Sequence, residues 1–389
     1  VADIVIAGGG LAAVRTAQAL RDAGFAGSLL MLSDEDEAPY DRPPLSKAFL
    51  AGTALASDIR LLAPDKMASL QLQLRLGAGA AGIDTANHEV LLAGGERVRY
   101  GRLVVATGAR PMPAPSLAQH PAVHMLRSLD DARRLQKSLA SARHVAVVGG
   151  GLIGLEIAAA SIQRGAAVTV IEAAEVPLAP VVGPVLGRLI QTWHESKGIR
   201  FHCGVSATGI EGQESDCRLL LGNGAALAAD LVVVGIGTIA NTEWLRESGL
   251  QHARGLVVDD EGRSSDPDVF GVGDATCRMV GGMARPSRQW TATTELARRA
   301  AKALCGCRDQ PPLIWDNYFW SDQHGLRLQY AGTAMPDARL SFVAGGPASE
   351  TFVAALEADG RVAAVFSLGL PREFLAHSSA LRRGGVAAR

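Results

Sequence analysis

Residues 3–20, DIVIAGGGLAAVRTAQAL, and residues 144–160, HVAVVGGGLIGLEIAAA, repeat one pattern, and that pattern decides the fold. In each, an apolar run ends in three glycines and passes directly into an alanine-rich, helix-favouring stretch. Gly8, Gly10 and Ala13 give G-x-G-x-x-A. The first glycine makes the turn, the second lets backbone approach a pyrophosphate, and the small third residue lets the helix pack on the strand. Gly149, Gly151 and Gly154 complete G-x-G-x-x-G. Each unit is followed by a second strand that closes on acid: SLLMLSDE, 28–35, on Asp34 and Glu35, and AAVTVIE, 166–172, on Glu172. An acid at that distance suits a ribose diol. A lone glycine-rich turn is as readily structural. Two of them, each in strand–turn–helix context, predict two dinucleotide sites on Rossmann-like α/β domains.

Composition agrees. The chain has 389 residues, more than one hydrophobic core holds, so two or three domains are expected. Hydrophobic residues make up 48% and charged residues 20%, ordinary for a globular protein. A net charge of -1 gives no support for nucleic-acid binding. The five cysteines, 203, 217, 277, 305 and 307, form no paired framework and no metal motif, so reduced thiols, no resident metal and a cytoplasmic setting are expected. The chain opens on an apolar strand without a basic leader, and no apolar run is long enough to span a bilayer, so no membrane partner is expected.

Two further strands close on marked residues. RLVVATGARP, 102–111, ends at Ala106-Thr107-Gly108, and DVFGVGDAT, 268–276, ends at Gly273-Asp274. By itself Asp274 also suits a helix N-cap. With the paired glycine turns, these stretches resemble the marks of two-dinucleotide-binding flavoproteins. There the ATG strand links an FAD to an NAD domain, and the aspartate contacts the flavin ribitol or phosphate. The implied map is an FAD domain over 1–107 and 237–308, an NAD domain over 108–236, and a C-terminal interface domain over 309–389. GLVVDDEGRSSDPDVFGVGD reads as a strand and TTELARRAAKALCG as a helix of the FAD domain. Alternating runs such as LRLQYAG and RVAAVFSLG predict antiparallel strands, then a final helix, a small α+β domain.

The stretch APYDRPPLSKAFL, 38–50, sits where disulfide-reducing relatives carry a cysteine pair and peroxide-reducing ones a single cysteine. It has none, and the first cysteine in the chain is Cys203. Electrons are therefore expected to leave the flavin directly. The two prolines, Pro43 and Pro44, predict an extended path here. Together with ATGARP, LRSLDDARRL, VVGGGLIGLEIAA, VVVGIG, GVGDAT and FWSDQ, the stretch resembles the oxygenase-coupled NADH–ferredoxin reductases in the family's own order along nearly the whole chain. Those proteins serve Rieske-type aromatic-ring dioxygenases and some cytochrome monooxygenases. Mitochondrial apoptosis-inducing flavoproteins share less of the wording.

The resemblance implies bound FAD contacted by Gly8, Gly10, Leu11, Ala12, Asp34, Arg42, Lys47, Ala80, Ala106, Thr107, Gly108, Arg127, Gly273, Asp274 and Trp290. It implies NADH on Gly149, Gly151, Leu152, Ile153, Gly154, Glu156, Glu172 and Gly237. Lys47 is the cation placed to stabilise negative charge on the flavin, Glu156 a carboxylate close to the nicotinamide, and Trp320 the electron exit. For each the ordinary alternatives stand beside these roles: a solvated cation for Lys47 and Arg42, a helix charge for Glu156, a core contact for Trp290. PSRQWTATTEL, 286–296, departs from the family, with Arg288 where relatives carry Glu. Glu172, with no Arg in EAAEVPLAP, favours NADH over NADPH. WDNYFWSDQHG gathers Trp315, Tyr318, Phe319 and Trp320, with Phe319 read as part of a seam to the FAD domain. Arg298, Arg299 and Lys302 are expected to form a basic rim for an acidic ferredoxin. The expected partner is an iron–sulfur ferredoxin, Rieske-type, with a homodimer possible. An NADH oxidase and an apoptosis-inducing-type NADH sensor are the alternatives.

Overall fold

The structure, a computed structural model, describes residues 2–384 apart from 215, 308, 309, 312, 314–316, 336, 347 and 348, without side chains at 380 and 382–384. The described chain divides into two compact units: 1–41, 56–110 and 238–315, and 42–55, 111–237 and 316–389.

The first unit is built on a parallel sheet. Its strands run Leu72–Arg75, Leu29–Leu32, Ala2–Ala7, the end of Arg97–Val105, and Val269–Gly271. Ile4 pairs with Leu29 and Arg102, and Ala7 with Leu32 and Val105. The central strands read as near-continuous apolar runs because both faces are covered. Val5, Ile6, Leu103 and Val104 are fully buried, as are Leu296, Ala297 and Ala300 of the helix Trp290–Leu304. That helix packs along the first one, Leu11–Asp22. The expected strand through 255–274 is two short ones, Leu256–Val257 and Val269–Gly271. Between them Asp259 accepts the N–H groups of Glu261 and Arg263, and such an Asp turn ends a strand.

The second unit repeats the plan. Its parallel sheet runs Arg200–Cys203, Ala167–Glu172, His144–Val148, Leu231–Val234 and Val123–His124. The helix Leu152–Gln163 follows the glycine turn. The helix Leu129–Leu139 starts on a capping box between Ser128 and Asp131, of the kind that stabilises a start by about 1 kcal/mol. An antiparallel sheet of five strands, Phe319–Gln323, Leu326–Gly332, Arg361–Leu368, Phe352–Ala358 and Arg339–Gly345, then carries the helix Pro371–Gly384. The expected alternating runs are thus strands.

Phe319, Leu328, Tyr330 and Phe366 of that sheet share one buried cluster with Leu155, Leu186 and Ile190. Phe319 therefore packs within the second unit, against elements around the second glycine turn. Segment 42–55 belongs to this unit too. Its prolines do not run extended: Pro43–Ser46 is a one-turn 3-10 helix and Ala48–Ala51 a helical turn. Proline's fixed φ near -65° fits the first turn of a helix as well as an extended strand. Among the described residues no helix is long and apolar enough to cross a membrane.

Candidate functional site

At the first glycine turn, Gly8 adopts φ +131, and a Cβ there would overlap the Ala106 carbonyl oxygen. Only glycine fits. Gly10 differs: it is the N-cap of Leu11–Asp22, its φ is an ordinary -94, and a Cβ would meet nothing within 4 Å. It offers no side-chain cap, so the first-turn N–H groups have no side-chain acceptor from that position. A closed turn behind and an open cradle in front is what a pyrophosphate needs. The residues fit a dinucleotide by that test. Around it, a Cβ on Gly273 would lie 2.9 Å from Ala12, so the Gly273-Asp274 turn sits against the start of this helix. Asp274 lies in the single 3-10 turn Gly273–Ala275, while the helix Trp290–Leu304 is capped at Gln289, so it is not that helix's N-cap. Asp34 lies beside Gly79, next to Ala80 at the start of the strand Ala80–Asp84. Thr107 donates to the Asn241 carbonyl at 2.6 Å, and Gly108 accepts from the Asn241 N–H at 2.9 Å. Trp290 is half-buried rather than core: its Nε1 donates to Asp41 at 3.2 Å and the Arg15 guanidinium covers its ring at 5.4 Å.

The second turn repeats the geometry. A Cβ on Gly149 would overlap the Gly235 carbonyl and one on Gly154 the Gly149 carbonyl. Gly151 caps Leu152–Gln163 with no neighbour closer than 4.0 Å. Glu172 reaches over this loop: its Oε2 accepts the Gly150 N–H at 2.6 Å and its Oε1 the Ala174 N–H at 2.8 Å. Ile153 is exposed and Leu152 half-buried at the start of the helix. Gly237, at φ +120, accepts the Met112 N–H at 2.9 Å.

The cationic stretch of the sequence meets this helix. Glu156 is 5% exposed, and the Lys47 ammonium lies 2.7 Å from its Oε1. Ser46 donates to Oε2 and Ser321 to Oε1. A buried carboxylate needs such a set, since desolvation without partners costs several kcal/mol. Glu156 is therefore a buried ion-pair partner rather than a solvated helix charge. The Lys47 ammonium also donates to the Pro43 carbonyl at 3.3 Å. Arg42 Nη1 donates to the Arg127 carbonyl at 2.6 Å, and the Arg127 N–H to Asp131 at 3.1 Å.

Sequence reasoning missed Ser46 and Ser321. Spacing carries no sign that residues 46, 156 and 321 converge; only the alternation of Phe319–Gln323, which buries Phe319, Ser321 and Gln323, hints at an inward polar face. On the other face of that strand Trp320 stacks on Tyr318, with ring centroids 6.1 Å apart. Trp315 lies outside the described residues. The basic rim is corrected. Arg299 is buried, donating to the Asp260 carbonyl at 2.7 Å, and Arg298 is held by Glu295 at 2.6 and 2.9 Å. Of the three, Lys302 is the exposed one. In helix Trp290–Leu304, positions 296, 299, 300 and 303 form the buried stripe, which takes Arg299 inward.

No cysteine is disulfide-bonded among the described residues. Burial pushes the thiols of Cys203, Cys217, Cys277 and Cys305 up, which disfavours the nucleophilic thiolate.

The profile of the family described as "Pyridine nucleotide-disulphide oxidoreductase" matches residues 2–302, and that described as "Reductase C-terminal" matches 318–389. The chain belongs to the pyridine nucleotide-disulphide oxidoreductases. Within that family it sits with the oxygenase-coupled ferredoxin reductases. It is 37% identical to "Probable ferredoxin reductase CtmF" of Castellaniella defragrans, over 99% of this chain and 95% of that one. To the ferredoxin–NAD(+) reductase component of the p-cumate 2,3-dioxygenase system of Pseudomonas putida it is 34% identical, over 96% and 91%. The reductase in a crystal structure of the covalent putidaredoxin reductase–putidaredoxin complex superposes with a TM-score of 0.89 at 32% identity, over 98% of this chain and 93% of that one. This family member lacks a cysteine anywhere in residues 38–50.

Proposed function

We propose that this protein is an FAD-dependent NADH–ferredoxin reductase: it takes a hydride from NADH and delivers electrons singly to a Rieske-type iron–sulfur ferredoxin serving aromatic-ring oxygenation. One observation carries the reading. Where thiol-dependent relatives hold cysteine, this chain builds Lys47 against buried Glu156, on the helix of the second nucleotide turn. A fixed ammonium stabilises negative charge, whereas residues 38–50 carry no thiol to accept electrons. Bound FAD supplies the conversion between a two-electron donor and a one-electron acceptor.

The chain's residues divide the work. Residues 1–107 and 237–308 serve FAD, 108–236 serve NADH, and 309–389 form the interface domain. The N–H groups beyond Gly10 hold the FAD pyrophosphate. Asp34 and Asp274 accept from its sugar hydroxyls, and Gly8, Leu11, Ala12, Ala80, Ala106, Thr107, Gly108 and Gly273 shape the cradle. Family resemblance assigns Arg42, Lys47, Arg127 and Trp290 to the flavin as well. The turn at Gly149, Gly151, Leu152, Ile153 and Gly154 takes the NADH pyrophosphate. Glu172 selects an unphosphorylated ribose, Gly237 lines the NADH site, and Glu156 approaches the nicotinamide. Trp320 is the exit towards the ferredoxin. Unbridged thiols support a cytoplasmic setting, and a homodimer is compatible with it.

The test is anaerobic stopped-flow. NADH should bleach the flavin, and a Rieske-type ferredoxin should then restore its colour faster than a cysteine-ligated plant-type ferredoxin or oxygen does. Reoxidation by oxygen as fast as by any ferredoxin would replace this reading with an NADH oxidase. A long-lived coloured reduced complex that no ferredoxin discharges would replace it with an NADH sensor. Liquid chromatography of the released flavin should return FAD; FMN would refute the two-nucleotide reading.

A further inference from the structure

Behind Glu156 the second unit holds a line of polar groups, buried except for the half-buried His324 at its far end. His324 Nε2 lies 3.0 Å from His194 Nδ1, and His194 Nε2 lies 2.8 Å from Gln323 Oε1. Gln323 Nε2 donates to Ser321 Oγ at 2.8 Å, and Ser321 donates to Glu156. His194, Ser321 and Gln323 are each no more than 2% exposed. They come from two elements, the helix Ala179–Ser196 and the strand Phe319–Gln323.

The direction of every proton in this line follows from one end. Glu156 is paired with Lys47, and a carboxylate only accepts. Ser321 has one proton and gives it to Glu156, so its oxygen must accept from the Gln323 NH2 group. That fixes the amide, and its carbonyl then faces His194 Nε2, which must donate. A neutral His194 is left with a bare Nδ1, which must accept from His324 Nε2–H. Burial supports neutrality, holding His194 at about 3 and, with the Lys197 ammonium nearby, His324 at about 4. Lys197 is itself paired with Glu350, and Trp193 meets both imidazoles edge-on at 4.9 and 5.1 Å. Four hydrogen bonds therefore align head to tail, donors towards Glu156. Such a chain polarises itself, and each bond strengthens the next.

We propose that His324, His194 and Gln323 are positioning residues for the Lys47–Glu156 pair: a one-way donor chain, both imidazoles protonated on Nε2, commits Ser321 to Glu156 and so sets where the Lys47 ammonium sits. Its bearing on electron transfer rests on the proposed function; the proton assignment does not.

The experiment uses the intact flavoprotein labelled with 15N-histidine. Long-range proton–nitrogen correlation should show His194 and His324 as neutral Nε2–H tautomers, unchanged from about pH 6 to about pH 8. Ser321→Ala removes the acceptor that fixes the Gln323 amide, so His194, two hydrogen bonds away, should become a mixture of tautomers. Ser321→Thr, which keeps the hydroxyl, should restore the single form. Gln323→Leu should slow flavin reduction by NADH roughly tenfold with NADH affinity held within about twofold. A wild-type His194 carrying its proton on Nδ1, or a mixture, overturns the chain whatever the rates do. A single Nε2–H tautomer with an unchanged reduction rate in Gln323→Leu overturns the positioning role. A wild-type protein that NADH does not bleach overturns the proposed function and leaves the tautomers as they stand.

Discussion

A methyl group separates two kinds of glycine in this protein. At Gly8 it would collide with the Ala106 carbonyl, so Gly8→Ala should damage the fold itself. At Gly10 and Gly151 it would enter open space from a backbone any residue adopts. Gly10→Ala should therefore keep the melting temperature of the flavin-free protein while weakening FAD retention, read by ultrafiltration of the flavin. Gly151→Ala should raise the KM for NADH and leave FAD bound. If both variants behave as wild type, the turns are structural and hold no phosphate. Glu172 makes a second prediction at this scale. A carboxylate already bonded to the loop N–H of Gly150 repels a 2′-phosphate, so kcat/KM for NADH should exceed that for NADPH at least about tenfold, roughly 1.4 kcal/mol. Glu172→Ala with Ala173→Arg should shift that ratio towards NADPH. Lys47 and Glu156 form a pair whose halves depend on each other. Lys47→Gln strands a buried carboxylate and should cost about 3 kcal/mol in urea unfolding. Adding Glu156→Gln should return most of that stability without returning the rate of flavin reduction.

The strand Phe319–Gln323 shows how one element serves two faces. Its odd positions turn inward to the core and to Glu156, while Trp320 and Asp322 lie half-exposed on the other side. Trp320→Ala should leave flavin reduction by NADH nearly unchanged and slow ferredoxin reduction. Equal slowing with a small-molecule acceptor would make the indole a packing residue only. The helix Trp290–Leu304 teaches the opposite lesson about reading charge from sequence. Three basic residues close together look like a docking rim, yet the helical period sends Arg299 into the interior and a neighbour one turn back neutralises Arg298. A charge reversal at Lys302 is thus the informative one for the salt dependence of ferredoxin reduction. At Pro43-Pro44 the expected extended path gives way to a 3-10 turn, because proline fixes φ and leaves ψ free; that turn brings Ser46 and Lys47 to opposite oxygens of one carboxylate.

Across the whole molecule, both parallel sheets were legible from the glycine turns and the acids that follow, because local periodicity and turn chemistry encode them. The joining of residues 46, 156 and 321 was not, since nothing local marks a partner more than a hundred residues away. Folding also sets a pH limit. The unfolded chain binds a proton at His194 near the ordinary imidazole value of 6.5, while burial makes the folded chain resist until about 3. Below about pH 6.5 the unfolded state is favoured progressively, so stability present at neutral pH falls on acidification, by about 2 kcal/mol from this group at about pH 5. Urea midpoints at the two pH values should show the loss, and His194→Asn should flatten that slope. The two units, finally, are interleaved: the chain passes between 1–41, 42–55, 56–110, 111–237, 238–315 and 316–389, each in alternate units. No single proteolytic cut can release either unit whole. A ribosome must likewise expose residue 315 before the first is complete, and almost the entire chain before the second. Nascent chains stalled at a domain-sized length will therefore hold neither nucleotide, and flavin loading has to wait until the chain through residue 315 has emerged.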